Sequence, residues 1–186
     1  FHRRDGLARA LEAGFARTRD PGGVVEGREG TVGLRCGGES RRATSKLCVR
    51  VGSENWMVDL SDAGEIMPVP PVTPVPLTRS WFKGMTNIRG RIYSVVDFSA
   101  FLGGAPASIT DQSRLLLIGE RFRTGSALLV DRSLGLRNPA ELQKRSNGSA
   151  TRPWVKAEFT DPEGGGWKEL DISTLVQHPD FLSVAS

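Results

Sequence analysis

The side chains able to do covalent or acid–base chemistry are few in this chain. His2 and His178 are its two histidines. They lie near opposite ends, without the neighbours that a nucleophilic triad or a histidine relay requires. Cys36 and Cys48 lack the Cys-x-x-Cys spacing of zinc or redox sites. Asp97 and Asp131 can be drawn as a carboxylate pair for general acid–base work. Each, however, ends an apolar run, and is read as a structural group accepting the free amides of the helix or turn that follows. No G-x-S-x-G, G-x-G-x-x-G or Walker glycine–lysine signature occurs. The expectation is a chain that is not an enzyme and carries no cofactor and no metal.

What remains is recognition chemistry, and it centres on Arg89. A guanidinium makes bidentate bonds to a carboxylate. The residues from Trp81 to Phe98 are arranged to present one. Trp81 and Phe82 predict a short helical turn that Gly84 ends. Asn87-Ile88-Arg89-Gly90 predicts a tight turn, with Gly90 free to take positive φ and Asn87 holding it. Ile92 to Phe98 is apolar and β-branched, as a buried strand should be. Arg89 then stands on a rigid hairpin, which suits a group that meets a partner and does not suit a reaction.

Other elements follow from the same signals. Leu7, Leu11 and Phe15 repeat every four residues behind Asp5, predicting an amphipathic helix over 6–18. Residues 20–46, rich in Gly, Arg, Glu and Ser, predict a flexible basic arm, and the domain is expected over 47–186. Leu47–Val51 and Trp56–Leu60 read as a hairpin around Gly52–Asn55. Pro68, Pro70, Pro71, Pro74 and Pro76 require an extended course along the surface or an edge. Leu115–Ile118, Ala127–Val130 and Trp154–Phe159 add short strands, residues 144–151 a polar loop, and Asp161–Gly166 a turn. An apolar-Asp-x-Ser pattern recurs at Asp59, Asp97, Asp131 and Asp171. The residues between do not repeat, so strand ends closed by an Asp are preferred to true duplication. The picture is all-β, with about ten short strands and a few one- or two-turn helices.

The block G-M-T-N-I-R-G-R-I-Y-S-V-V-D-F, Gly84 to Phe98, resembles the signature of the CheW-like family, with Ser94 where that family usually has proline. The resemblance is good from Leu47 to about Asn138, weaker beyond, and does not cover 1–46. It implies two small five-stranded barrels packed together with a hydrophobic groove between them. It also implies a scaffold that links a methyl-accepting chemoreceptor to a CheA-like histidine kinase. Under it, Arg89 lies at the receptor-contacting surface. Glu65 matches the acid of the family's segment before it, with Ala63, Ile66 and Val69 as groove candidates by position. Lys83 becomes a rim charge, Asn87 a turn residue, and Gly84 and Gly90 structural. The phrases A-G-E-I-M-P-V-P-P-V-T-P-V-P-L-T-R-S-W-F-K-G and L-L-V-D-R-S-L-G-L-R-N resemble the adaptors of type IV pilus chemosensory systems more than those of flagellar chemotaxis, which is the alternative.

Charge and composition bound the rest. The 186 residues carry a net charge of +4. Residues 1–46 hold 10 Lys and Arg against 6 Asp and Glu, and 47–186 hold 15 against 15. The basic excess therefore sits outside the expected domain. That disfavours the alternative of a small barrel binding nucleic acid through its arm. No run approaches the ~18 apolar residues of a membrane span. The few cysteines fit a reduced cytoplasm, with recruitment to receptor arrays at the inner membrane. The chain opens on Phe1 and is expected to be a fragment.

Overall fold

The computed structural model describes residues 45–145 and 152–185. The helix expected over 6–18, the arm over 20–46 except its last two residues, and most of the 144–151 loop lie outside them. The described chain forms β1 (Lys46–Val51), β2 (Glu54–Asp59), β3 (Ala63–Pro68), β4 (Phe82–Ile88), β5 (Arg91–Asp97) and α1 (Phe98–Phe101). It continues through β6 (Arg114–Ile118), β7 (Ser126–Val130), β8 (Arg132–Arg137), β9 (Gln143–Lys144), β10 (Val155–Thr160) and β11 (Gly166–Leu170). It ends in α2 (Ile172–Gln177) and α3 (Pro179–Leu182).

The strands form two sheets. The six-stranded sheet runs β8-β1-β2-β11-β10-β9 and the five-stranded sheet β3-β6-β7-β5-β4. All ladders are antiparallel except β2–β11 and β5–β7, which are parallel. Both sheets are buried on two faces, which is why their central strands read as unbroken apolar runs. Leu115 and Leu117 of β6 enter one cluster with Ile88, Val95, Ala127 and Leu129. Leu116 and Ile118 point the other way, into a core shared with Val49, Trp56 and Val58 of the six-stranded sheet. Cys48, Met57, Phe159 and Trp167 fill the far side of that sheet. At one end the shared core is closed by aromatics. Phe101 sits 5.3 Å from Trp81, 5.2 Å from Trp154 and 5.6 Å from Phe181, ring centroid to centroid.

The two expected five-stranded barrels are thus a six-stranded and a five-stranded sheet, and hydrogen bonding closes neither into a ring among the described residues. In the five-stranded sheet a seam runs between its edge strands β3 and β4. Prolines explain it, because they have no amide to donate to a ladder. Past Pro68 the chain offers one matched site, Thr73, which exchanges both backbone hydrogen bonds with Met85 at 2.8 and 2.9 Å.

That contact also corrects the helix expected at Trp81–Gly84. Phe82 begins a strand, and Gly84 takes a positive φ of +134° against the Thr73 carbonyl. A Cβ at Gly84 would lie 2.1 Å from that oxygen. The requirement for glycine is close approach, not helix termination.

The four Asp residues of the recurring pattern divide. Asp59 accepts from Ser61, Asp97 from Ala100 at the start of α1, and Asp171 from Thr174 at the start of α2. Asp131 does not accept from the turn after it. Its carboxylate takes the Gly52 amide at the tip of the β1–β2 hairpin. It stands where the chain leaves β7 in one sheet and enters β8 in the other, so it ties the corner to the hairpin.

Candidate functional site

One bulge and one turn build the site. In β3 the register against β6 shifts between Ala63 and Ile66, so Gly64 and Glu65 bulge. A bulge bends its strand and re-aims a side chain, and here Glu65 points across the seam. On the far side, β4 and β5 are joined by the two residues Arg89 and Gly90, at φ +53° and +82°. Positive φ at both central positions is the signature of the hairpin turn whose twist suits its strands. The Asn87 Oδ1 accepts from the Gly90 amide at 2.9 Å and fixes the turn.

Arg89 and Glu65 meet in a bidentate pair. Nη1 donates to Oε2 at 2.7 Å and Nη2 to Oε1 at 2.8 Å. The Arg89 side chain is 74% exposed and that of Glu65 38%. The hydrogen bond from Arg89, helped by its charge, holds the Glu65 carboxyl below the usual glutamate range. The same bond raises the Arg89 guanidinium further. The pair bridges one end of the seam, and the Thr73–Met85 exchange bridges another point of it.

The remaining expected residues are placed differently. Lys83 is not a free rim charge. The register of β4 shifts at Lys83, and its Nζ lies 3.1 Å from Asp97 Oδ2. Asp97 is fully buried and also accepts from the amides of Ala100 and Ala107 at 3.1 and 2.8 Å. A buried carboxylate needs such partners, so Lys83 is bound to a structural task. Ala63 and Ile66 are half-buried against the inter-sheet core, and Val69 packs on the other side of its sheet.

Sequence reasoning missed a ring of charges around this mouth. Arg91 pairs with Glu120, and Arg121 pairs with Asp62. Arg89, Glu65, Arg91 and Glu120 line a cavity of about 350 Å³ walled by Ile88, Tyr93, Leu117 and Ile118, and the Arg121–Asp62 pair joins the residue after Glu120 to the β2–β3 turn. The available signal was the run Glu120-Arg121-Phe122-Arg123, three charges of mixed sign around a phenylalanine between two apolar strands. The described residues hold no group of three or more His, Cys, Asp or Glu placed for a metal. No helix among them is long and apolar enough to cross a membrane.

Two doubly buried sheets with a rigid, charged hairpin at one edge make a binding module in which surface side chains carry the specificity. The chain belongs to the CheW-like domain family, whose model matches residues 45–180. It is 27% identical over 158 residues to the protein PilI of Pseudomonas aeruginosa, covering 83% of this chain and 87% of that one. It is 33% identical over 85 residues to the chemotaxis protein CheW of Rhizobium meliloti, covering 46% of this chain and 54% of that one. In fold it is similar to the crystal structure of scaffolding protein TtCheW from Thermoanaerobacter tengcongensis. The TM-score is 0.59 at 15% identity, over 74% of this chain and 94% of that one.

Proposed function

We propose that this chain is a non-catalytic adaptor that couples a methyl-accepting chemoreceptor to a CheA-like histidine kinase in the control of type IV pilus twitching motility. The observation that carries it is the Arg89–Glu65 pair. A guanidinium on a two-residue turn, with its charge balanced by one exposed carboxylate, is poised for exchange. An incoming carboxylate from a partner replaces Glu65 without unfolding anything, because exposed pairs contribute little to stability. Likeness to PilI along most of both chains supports the pilus assignment over the flagellar one. In this reading the adaptor sits in the cytoplasm at receptor arrays, Arg89 and Glu65 face the receptor, and half-buried Ile66 and Ala63 line the adjoining groove. Asn87 contributes by holding the turn.

The test is calorimetric titration of the chain against the CheW-like regulatory domain of the pilus-system kinase. Saturable one-to-one binding is expected. Absence of binding at high micromolar concentration, with a folded sample, would sink the kinase half of the function.

A further inference from the structure

Three non-glycine residues hold positive φ among the described residues: Leu77, Arg89 and Arg123. Two of the three are arginines, and both stand at the same mouth of the five-stranded sheet. Arg89 lines the cavity already described. Arg123 lines an adjoining one of about 410 Å³, and the two cavities share Arg91, Tyr93, Ile118 and Glu120. Left-handed backbone is unfavourable for a residue with a Cβ, and arginine lacks the short local hydrogen bond that lets asparagine tolerate it. Arg123 ends the 3₁₀ turn Glu120–Phe122, a place where glycine sits without strain. Strained backbone that glycine would relieve points to a side chain wanted for itself.

Charge says what it is wanted for. The two cavities are lined by three arginines (Arg89, Arg91, Arg123) and two carboxylates, Glu65 and Glu120, while Arg121 and Asp62 pair with each other beside them. Each carboxylate has its arginine. Arg123 is exposed and has no carboxylate within 4.0 Å among the described residues, so it carries the surplus charge. In the same cavity as Arg123 stands Ile92, 55% exposed. An apolar residue beside an uncompensated cation, with an exchangeable cation next door, complements a segment that is acidic and carries an apolar side chain.

We propose that Arg123 is a second receptor-binding arginine, and that Arg89 and Arg123 together grip an acidic segment of the chemoreceptor across Ile92. This rests on the adaptor reading above. Arg123 attracts the segment first, because no carboxylate screens it. Arg89 then exchanges Glu65 for a receptor carboxylate.

The experiment uses the full chain and two immobilised ligands: the purified cytoplasmic signalling fragment of a pilus-linked methyl-accepting receptor, and the kinase regulatory domain. Wild type is compared with Arg123→Gly and Arg123→Glu at low and physiological salt. Arg123→Gly is expected to weaken receptor binding about ten-fold, the loss of one charge-assisted contact. Arg123→Glu weakens it further and flattens its salt dependence. Kinase binding stays unchanged. The thermal midpoint of Arg123→Gly equals or exceeds that of wild type, because glycine relieves the strained φ. Unchanged receptor affinity in both variants overturns this inference alone. So does a lowered midpoint in Arg123→Gly, which marks a merely structural arginine. Wild type that binds the kinase domain and not the receptor fragment overturns the receptor half of the adaptor reading and this inference with it.

Discussion

Both sheets carry ion pairs between strands, but in opposite settings. In the six-stranded sheet, Lys46 Nζ lies 3.3 Å from Asp59 Oδ2 and 3.0 Å from Glu169 Oε1, with Lys46 and Glu169 side chains each 8% exposed. In the five-stranded sheet, Arg89 stands mostly in water and Glu65 is half-exposed. The buried group ties β1, β2 and β11 together and has nothing to offer a partner. The Arg89–Glu65 pair bridges a seam that no ladder closes, with its guanidinium open to solvent. The five-stranded sheet has a fixed pair of its own, Lys83 with the buried Asp97, so the contrast lies between the buried Lys46 group and the Arg89–Glu65 pair at the seam.

The largest effect should follow from breaking the buried group. Glu169→Ala leaves the Lys46 ammonium buried with Asp59 alone, and removing one partner of a buried pair costs about 3 kcal/mol. Urea denaturation measures it. Glu65→Ala in the same assay should leave the midpoint within error. Equal losses in the two variants would erase the contrast. The pH dependence sharpens it. Burial opposes the charge on Lys46, but its hydrogen bond to Glu169 and the two carboxylate charges outweigh burial and raise the pKa above the usual lysine value. The stability this brings is whole below about pH 10.4, the unfolded value, and is lost as pH rises through the folded value. Glu65 is depressed, so its small contribution is present above about pH 4.3 and is lost as pH falls through its folded value. Wild type should show the alkaline loss, and Glu169→Ala should show less of it.

A smaller effect tests whether the five-stranded sheet owes its integrity to the seam contact and not to its ion pair. Gly84→Ala forces a Cβ into the Thr73 carbonyl at an unfavourable φ, and should destabilise by about 2 kcal/mol. Gly90→Ala meets nothing within 4 Å and should lose about 1 kcal/mol from the φ alone. Reversal of that order would mean the hairpin turn, not Thr73, holds the edge.

Legibility in the sequence divided along the same line. Local signals placed the β1–β2 hairpin, the Arg89–Gly90 turn and the two Asp-capped helices, because each is decided within a few residues. The helix expected at Trp81 failed because its outcome depends on Thr73, which local pattern cannot see. The strand β8, Arg132–Arg137, reads as polar and glycine-broken, and pairs only because β1 offers an edge. In β11, Trp167-Lys168-Glu169 looks exposed, yet Glu169 is buried because Lys46 and Lys156 reach it. Arg89 and Glu65 were each legible through the family block. Their pairing was not, since a bulge at Gly64–Glu65 aims one of them. The ring through Arg91, Glu120, Arg121 and Asp62 looks in sequence like ordinary solvated charge.

The smallest signal comes from Cys48, which reports on the six-stranded sheet alone. It is fully buried beside Met57 and Trp167, and burial pushes its thiol up to about 11. A thiol in that state is almost never thiolate at pH 8 and reacts only when the sheet opens. In a Cys36→Ser background, alkylation of Cys48 then measures opening of β1. Glu169→Ala should speed it, because the lost ion pair holds β1 to β11 through Lys46. Arg89→Glu should leave the rate unchanged, because its clasp lies on the other sheet. Faster labelling in Arg89→Glu would show that the exposed pair reaches across the shared core of Trp56, Val58, Leu116 and Ile118. The two sheets would then be one coupled unit, and a change at the Arg89–Glu65 edge would be felt where the buried charges sit.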